Sequence, residues 1–390
     1  MTTEICAKEL CTGCGACASV CPRKCITLQP NPQGHLFPHI DTQSCVNCNL
    51  CRKACPVNTP VPMHQPQACY AAWAKDEKDR ITSSSGAASS VFASHVISNG
   101  GIVYGAALQN NQIQHIRVIR KEDLGRLKGS KYVYSYAADV YPQIKEDLAT
   151  GKTVLFTGTP CQNAAVYNLV GENPNLILVN LICHGVPSMQ MLSEHLRNQT
   201  KTTFIKSISF RCGNQYVLDT PLYHSTRACL PDCYITLFKQ LVSCRSSCSF
   251  CSYAKPERCG DITIGDFWGL GKHTPFEGGD IRKGCSVIII NTEKGKSLLT
   301  ACQYKLQLFE REYQEAVDGN SQLRSPVAQR ALVNKFNKYY PKYSFNVAAW
   351  LTIPRLLGKS MLRKFLTKYT PAKRIKQSLC KVLYRKNKKL

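Results

Sequence analysis

Two cysteine runs near the N-terminus constrain the fold of this chain more than any other feature. They are Cys11-x2-Cys14-x2-Cys17-x3-Cys21-Pro22 and Cys45-x2-Cys48-x2-Cys51-x3-Cys55-Pro56. A loop of this spacing places three thiolates around one face of a [4Fe-4S] cubane, and in two-cluster proteins the fourth cysteine of each run ligates the other cluster. The sequence therefore predicts one cluster on Cys11, Cys14, Cys17 and Cys55, and a second on Cys45, Cys48, Cys51 and Cys21.

Zinc is the alternative for these runs, because Cys-x2-Cys spacing alone does not separate zinc from iron. Two complete and repeated runs favour iron–sulfur clusters. Cys6, Cys25 and Cys69 fall outside the pattern and are predicted to be unligated. The chain has 23 cysteines in 390 residues and no apolar leader at Met1–Leu10, so we expect reduced thiols in a cytoplasmic protein rather than disulfides.

The chain divides by composition into four parts. Residues 1–58 are predicted to be an α+β ferredoxin-like dicluster domain, and the proline-rich residues 59–67 a linker. Residues 68–315 alternate short β-branched runs with helical patterns, which predicts an α/β domain with a mainly parallel sheet. Residues 316–390 are predicted to be a basic helical extension.

Strands and helices of the α/β part follow from this alternation. The predicted strands are Gly101–Leu108, Thr153–Phe156, Leu176–Ile182, Asp261–Ile264 and Ser286–Ile290. The predicted helices are Ser89–Ile97, Gln162–Val170 and Met189–Arg197.

The basic charge is concentrated in the C-terminal extension. The chain carries a formal net charge of +25, and residues 319–390 contain 18 Lys and Arg and no acidic residue. Apolar residues interleave with cations from Ala348 to Lys368, a pattern typical of a helix on an anionic membrane surface. The alternatives are a helix packed on the core and, less favoured because the segment has no recognised binding motif, contact with nucleic acid.

Two cysteines follow predicted strands that are neighbours in sequence. Cys161 comes after Thr153–Phe156 and Cys183 after Leu176–Ile182, so both face the carboxyl edge of a parallel sheet, where such folds bind ligands. With the hook Cys248-x2-Cys251 they are predicted to hold a third [4Fe-4S] cluster. The rival is a local site made by Cys244, Cys248, Cys251 and Cys259.

Further candidates lie on loops of the same domain. The Ser-rich segment 82–89 precedes a helix, where free backbone N–H groups bind phosphate, although a simple N-cap is the alternative. Asp266, Trp268 and His184 stand at strand ends, where contact with a cofactor competes with a structural role. The sequence leaves these two interpretations open.

Taken in order, these motifs resemble the family of coenzyme F420 hydrogenase/dehydrogenase beta subunits. The likeness spans about residues 5–300. Besides the two cysteine runs, it rests on Thr82-Ser83-Ser84-Ser85-Gly86, Gly129-Ser130-Lys131-Tyr132, Phe156-Thr157-Gly158-Thr159-Pro160-Cys161-Gln162, Cys183-His184-Gly185-Val186-Pro187-Ser188, Ser209-Phe210-Arg211, Arg245-x2-Cys248-x2-Cys251, Asp261–Gly269 and Lys283-Gly284.

The resemblance implies an iron–sulfur flavoprotein oxidoreductase that exchanges electrons between a ferredoxin-like partner and a hydride carrier or small-molecule substrate. It places FAD against Ser84, Ser85, Gly86, Ser130, Lys131, Gly158 and Thr159. Similar proteins occur in polysaccharide-biosynthesis settings, so the hydride partner stays open. The alternative is a non-catalytic electron-transfer subunit without flavin, and the catalytic residues are not identified.

Overall fold

The N-terminal part is a small α+β unit built around the two cysteine runs. The structure is a computed structural model that describes residues 4–228, 230–326 and 330–369. The unit contains α1 (Ala16–Val20), β1 (Ile26–Pro30), β2 (Leu36–Ile40) and α2 (Leu50–Lys53), and β1 pairs with β2 antiparallel. Gly15, the N-cap residue of α1, has φ +85°, and a Cβ there would stand 2.7 Å from the Cβ of Ala138. Glycine therefore permits both the turn and the close approach of the next domain.

Ten further strands follow along the chain. They are β3 (Ala68–Ala74), β4 (Ile102–Gln109), β5 (Gln112–Val118), β6 (Val154–Gly158), β7 (Leu176–Leu181), β8 (Ser209–Cys212), β9 (Gln215–Asp219), β10 (Ile262–Asp266), β11 (Ser286–Ile290) and β12 (Leu306–Glu310). Strands β8 and β9 form a separate hairpin.

The other eight strands form one mixed sheet in the order β12-β3-β11-β10-β7-β6-β4-β5. Its centre is parallel, because β4, β6, β7 and β10 pair in the same direction, and the flanking strands β5, β11 and β12 run against their neighbours. Apolar residues fill β6 and β7 on both faces, as expected of buried parallel strands. The result is an α/β domain with a parallel centre and antiparallel edges.

The helices are distributed over both faces of the sheet and the C-terminal part. They are α3 (Glu77–Thr82), α4 (Ala88–Ser98), α5 (Val140–Ala149), α6 (Pro160–Val170), α7 (Met189–Thr200), α8 (Cys233–Lys239), α9 (Glu293–Cys302), α10 (Tyr313–Gly319), α11 (Arg330–Tyr339), α12 (Phe345–Thr352) and α13 (Pro354–Tyr369).

Alternate residues of each strand feed two separate apolar cores. Leu155 of β6 packs with α4 and α9, whereas Val154 and Phe156 pack with α5 and α6. Cys14 and Ala16 join the second of these cores, so the dicluster unit lies directly on the α/β domain. The tyrosine hydroxyls of Tyr134 and Tyr141 strengthen this contact by donating to the carbonyls of Gly13 and Cys14, at 2.6 and 2.8 Å.

The elements predicted from the sequence are present in the structure. All five predicted strands and all three predicted helices occur with ends shifted by at most a few residues. The predicted linker is fixed to the domain, because Val61 is buried and the backbone of His64 bonds to that of Arg258 in both directions.

The C-terminal extension contributes to the core through α11 and α12. Phe345, Ala348 and Ala349 are fully buried against α7 and α8, so the packed-helix interpretation holds for α12. On the following α13, Met361 and Leu362 are 42% and 58% exposed. Within the described ranges no helix combines the length and the hydrophobicity that crossing a bilayer requires. Residues 370–390 of the predicted basic segment lie outside the described residues.

Candidate functional site

Two adjoining cavities lie at the carboxyl edge of the parallel strands. The first, called here the large cavity, has a volume of about 310 Å³ and is bounded by residues 83–85, 87–90, 127–135 and the ends of β6, β7 and β10. The second, called the cysteine cavity, has a volume of about 270 Å³. Thr159, Cys161, Cys183, His184 and Gly185 line both cavities, so the two share a wall.

The sheet register explains why Cys161 and Cys183 meet. Gly158, the last residue of β6, pairs with Asn180 of β7 in a parallel register. Cys161 then stands in the first turn of α6, and Cys183 follows β7 directly. Adjacent parallel strands thus place two thiols in the wall that the cavities share.

The cysteine cavity is lined by four cysteines, Cys161, Cys183, Cys248 and Cys251. The last two belong to a short segment containing the 3-10 helix Ser246–Phe250, so a single loop brings both of them to the cavity. Four converging thiols are the donor set that a [4Fe-4S] cluster requires. The residues present therefore fit the group that the sequence predicts here.

Cys244 and Cys259, the further members of the rival local site, lie near the four cysteines but outside the lining of their cavity. Cys244 is buried behind Gly185, where an added Cβ would come within 2.7 Å of the Cys244 Sγ. The thiol of Cys259 donates to the carbonyl of Pro160 at 3.3 Å. Neither residue lines the cysteine cavity, so the geometry favours the four-cysteine set.

Burial raises the pKa values of thiols in the cysteine cavity. It raises the pKa of Cys183 to about 12, with the nearby Cys248 acting in the same direction. Burial raises the pKa of Cys248 to about 11, although the backbone N–H of Val186 partly opposes it. These thiols are protonated near neutral pH unless a bound cation stabilises the thiolates.

The eight N-terminal cysteines fall into two groups. Cys55 lies with the first run, since it acts electrostatically on Cys14 and Cys17, and Cys21 acts on Cys51 of the second run. The first group consists of Cys11, Cys14, Cys17 and Cys55. We call it the inner site, because its Cys14 lines the large cavity. The outer site consists of Cys21, Cys45, Cys48 and Cys51, of which Cys48 is exposed.

Two of the cysteines predicted to be unligated lie beside these groups. A hydrogen bond between Cys6 and Cys11 lowers the pKa of Cys11 to about 6, and Arg245 acts in the same direction. Cys25 lies with its Sγ 3.3 Å from the Sγ of Cys21. Across the described ranges, no group of three or more His, Cys, Asp or Glu side chains is arranged around a single metal ion; the cysteine groups described above would instead hold the larger [4Fe-4S] cubane.

The Ser-rich loop and the start of α4 border one end of the large cavity. Ser84 Oγ accepts a hydrogen bond from the backbone N–H of Ser130 at 2.6 Å, which joins the two loops. Helix α4 begins at Ala88, and its N-cap residue Ala87 has φ +69° and provides no side-chain cap. Ala88, Ser89 and Ser90 line the cavity. Uncapped N–H groups at the start of a helix suit a phosphate.

Lys131 brings a cation to the same end. Its Nζ donates to the carbonyls of Leu127 and Lys128, at 2.9 and 2.8 Å. An ammonium has three donors, so one remains. Burial lowers the pKa of Lys131 to about 7, and a bound anion would restore the charged form.

Six of the seven residues predicted to contact FAD line the large cavity: Ser84, Ser85, Ser130, Lys131, Gly158 and Thr159. Gly86 does not. It is pressed between β3 and β11, where a Cβ would stand 2.1 Å from the carbonyl oxygen of Ala72. Its backbone N–H donates to Ser286 Oγ at 2.9 Å. The glycine therefore serves packing, and only its neighbours border the cavity.

Aromatic residues also line the large cavity. Tyr132 stacks on Phe238 with ring centroids 4.5 Å apart, and Tyr216 stacks on the half-exposed Trp268. The carboxylate of Asp266 accepts a hydrogen bond from Arg211 Nη1 at 2.6 Å. Asp266 thus has the ion-pair partner that a structural role requires. Trp268 contributes to a flat apolar wall.

Two histidines also line the large cavity. Burial lowers the pKa of His184, the residue after Cys183. The sequence pattern does not single out His115, which stacks on Phe156 with its Nδ1 2.9 Å from Ser135 Oγ. Burial lowers its pKa to about 4. His115 lies in an edge strand of alternating polar and apolar residues, where a histidine is usually structural. The sequence therefore gives no signal that His115 belongs to the candidate site.

Comparison with known proteins gives two family matches. Residues 10–59 match the 4Fe-4S dicluster domain, and residues 151–315 match the C terminus of the coenzyme F420 hydrogenase/dehydrogenase beta subunit. The second match includes Cys161, Cys183, Cys248 and Cys251. The Ser-rich loop and Lys131 lie between the two matched segments.

Similar individual proteins come from methanogens. The chain is 24% identical over 193 residues to the F subunit of F(420)H(2) dehydrogenase from Methanosarcina mazei, covering 46% of this chain and 55% of that protein. It is 38% identical over 69 residues to an uncharacterized polyferredoxin-like protein of Methanocaldococcus jannaschii, covering 15% of this chain and 41% of that one. The chain thus spans about half the length of these curated relatives.

A solved structure of the F420-reducing [NiFe] hydrogenase complex from Methanosarcina barkeri contains a similar chain, with a TM-score of 0.45 and 14% identity over 72% of this chain and 96% of that one. The cysteine pattern, the order of the motifs and the two family matches agree. Residues 151–315 therefore belong to the family defined by the C-terminal part of coenzyme F420 hydrogenase/dehydrogenase beta subunits, and residues 10–59 are a 4Fe-4S dicluster domain.

Proposed function

We propose that this protein is an iron–sulfur flavoprotein subunit that moves electrons between a ferredoxin-like one-electron carrier and a hydride carrier. The observation that carries the proposal is the wall that the cysteine cavity shares with the large cavity, formed in part by Cys161 and Cys183. A cluster in one cavity and a flavin in the other would be in direct contact with the same residues. Such contact suits electron transfer between them.

The cysteine groups suggest an order for that transfer. The outer site is open to solvent at Cys48, and Val46 and Leu50 beside it are 58% and 39% exposed. The inner site touches the α/β domain through Cys11 and Cys14. Electrons would therefore enter or leave at the outer site, pass the inner site, and reach the cysteine cavity and the large cavity.

The residues that line the large cavity suit a dinucleotide flavin. Its volume of about 310 Å³ lies at the lower end of the usual range for ligand pockets, so the chemistry of the lining carries this assignment. The uncapped start of α4 and the spare N–H of Lys131 suit the phosphates, and the wall of Tyr132, Tyr216 and Trp268 suits a planar ring. A flavin converts between one-electron and two-electron transfer, and the protein supplies orientation and electrostatics.

The hydride carrier belongs to the same proposal. One relative is part of F(420)H(2) dehydrogenase, so reduced coenzyme F420 is the first carrier to test, followed by nicotinamides. A role in polysaccharide biosynthesis, where another carrier would act, stays a hypothesis. Assembly with further subunits is proposed because that relative is itself named as one subunit of a dehydrogenase.

Anaerobic purification followed by quantitation of iron, sulfide and flavin tests the proposal. We expect three [4Fe-4S] clusters and one FAD per chain, and flavin bands that bleach with a hydride donor. Iron without flavin, even after incubation with FAD, would favour the electron-transfer subunit without flavin. A colourless protein with stoichiometric zinc would refute both functions.

A further inference from the structure

Arg245 is a buried cation at the junction of the two domains. The residue is 1% exposed, and its Nε donates to the carbonyl oxygen of Cys11 at 2.6 Å. Its Nη2 lies 3.5 Å from the Cys11 Sγ. The Arg245 Cζ lies 4.0 Å from the centroid of the Phe37 ring, and this cation–π contact holds the guanidinium in place. A guanidinium is always charged, so this contact brings a fixed positive charge to a cysteine of the inner site.

The same side chain borders the other cysteine group. Arg245 lines the cysteine cavity together with Cys161, Cys183, Cys248 and Cys251. Its Nη1 is buried and has no hydrogen-bond partner within the described part of the chain. The neighbouring Gly13 leaves room for it, since a Cβ there would stand 2.8 Å from Nη1. A buried donor without a partner is costly unless an acceptor binds beside it.

We propose that Arg245 sets the reduction potential of the cluster at the inner site, making it easier to reduce than the cluster at the outer site. The proposal rests on the cluster assignment of the proposed function. In the step concerned, the outer cluster, reduced by a ferredoxin-like carrier, gives up one electron and the inner cluster gains it, with no bond made or broken. Arg245 acts as a positioning residue for charge.

The sign follows from the charge of the cluster. A cubane with four thiolate ligands is anionic, and reduction adds one negative charge to it. A fixed cation and a hydrogen bond to a ligand sulfur both stabilise the more negative state and raise the potential. Burial strengthens the effect, because the surroundings screen the charge less than water does. At the outer site the neighbouring cations Arg23 and Arg52 are exposed, so screening there is strong.

Redox titration of the full chain followed by low-temperature electron paramagnetic resonance separates the inner and outer clusters. In Arg245→Gln we expect the reduction equilibrium of the inner cluster to fall at least tenfold, a shift of about 59 mV for one electron. Arg245→Lys keeps a charge and should fall between wild type and Arg245→Gln. The outer cluster should not move in either variant.

Arg258 provides a matched control. It is also a buried guanidinium, 2% exposed, but its Nη1 donates to the carbonyl of Tyr253 at 2.8 Å rather than to the N-terminal unit. Arg258→Gln should leave the inner potential unchanged. An unchanged inner potential in Arg245→Gln with full iron content, or equal shifts of inner and outer clusters, would overturn the proposal. So would loss of the inner cluster in both Arg245 variants, because Arg245 would then be purely structural.

The readout does not depend on flavin or on turnover. A missing flavin or a missing third cluster would contradict the proposed function, yet the inner and outer signals would still be measurable. Failure of this inference and failure of the proposed function are therefore distinguishable.

Discussion

Cys161 and Cys183 stand after adjacent parallel strands and line both cavities at the carboxyl edge of the sheet. Two thiols from separate loops are thereby shared between a site suited to a cluster and a site suited to a flavin. The parallel pairing of β6 and β7 creates this relationship, because a reversed strand would carry one cysteine to the opposite edge.

The crossed ligation of the N-terminal clusters predicts an effect across the two runs. Because Cys21 lies with Cys51 and Cys55 with Cys14 and Cys17, Cys21→Ser should damage the outer cluster and spare the inner one. Cys55→Ser should do the opposite. Iron quantitation and paramagnetic resonance of both variants measure this. Loss in Cys21→Ser of only the cluster that holds Cys11 would refute the crossed assignment.

Lys131 is predicted to contribute to flavin affinity. Removing its charge deprives a bound phosphate of a charge-assisted hydrogen bond, which contributes about 1.5–3 kcal/mol, so Lys131→Gln should weaken FAD binding by roughly tenfold or more. Fluorescence titration of flavin-depleted protein gives the dissociation constant. Lys145→Gln, on the exposed side of α5, is the control. Equal affinity in wild type and Lys131→Gln would remove Lys131 from the flavin site.

A buried ion pair is predicted to make stability depend on pH. His195 Nε2 lies 3.2 Å from the Asp232 carboxylate, and both residues are buried. Burial disfavours the charged His195, but Asp232 outweighs burial and raises its pKa. A raised pKa contributes stability that is complete below the unfolded value of about 6.5 and is lost as the pH rises through the folded value.

Replacement of the carboxylate tests this pair. Asp232→Asn should lower the free energy of unfolding by about 3–5 kcal/mol at pH 6, as expected when one partner of a buried pair is removed. The deficit should shrink as the pH rises through the folded pKa of His195, above which the imidazole is neutral in both proteins. Denaturant unfolding over a series of pH values measures it. A deficit that does not change with pH would contradict a charged His195.

The basic C-terminal segment is predicted to bind anionic membranes. Because α12 and Leu357 of α13 are buried in the core, truncation has to begin after α13. Removing residues 370–390, which contain eight Lys and Arg, should weaken binding to vesicles of anionic lipid, since each cation near such a surface contributes about 1 kcal/mol. Flotation with and without the segment, at low and high salt, measures this. Undiminished flotation of the truncated chain would refute the membrane role.

Local sequence patterns predict the dicluster unit and the buried strands of the fold. Cysteine spacing identifies the dicluster unit, and apolar runs locate β6, β7 and β11 because those strands are buried on both faces. Strands β5 and β12 escape prediction, since edge strands carry polar residues and a weaker pattern. The alanine-rich β3 escapes it because alanine has little strand preference. The antiparallel edges of the sheet depend on tertiary pairing that no local pattern encodes.

The candidate site shows the same division. Motifs locate the Ser-rich loop, Lys131 and the four cysteines of the cysteine cavity. They do not show that Gly86 turns away from the cavity, because its role is set by the backbone of Ala72 on another strand. Nor do they show the contact between Arg245 and Cys11, because these two residues are 234 positions apart in sequence.

The cluster proposed in the cysteine cavity is the central claim, and single Ser substitutions test it most directly. Iron content and paramagnetic resonance would be measured in Cys161→Ser, Cys183→Ser, Cys244→Ser and Cys259→Ser, each purified without oxygen. We expect the first two variants to lose the iron and the signal of one cluster while keeping both N-terminal clusters, and the last two to keep all three. Loss of the third cluster in Cys244→Ser and Cys259→Ser, with Cys161→Ser and Cys183→Ser unaffected, would contradict the account.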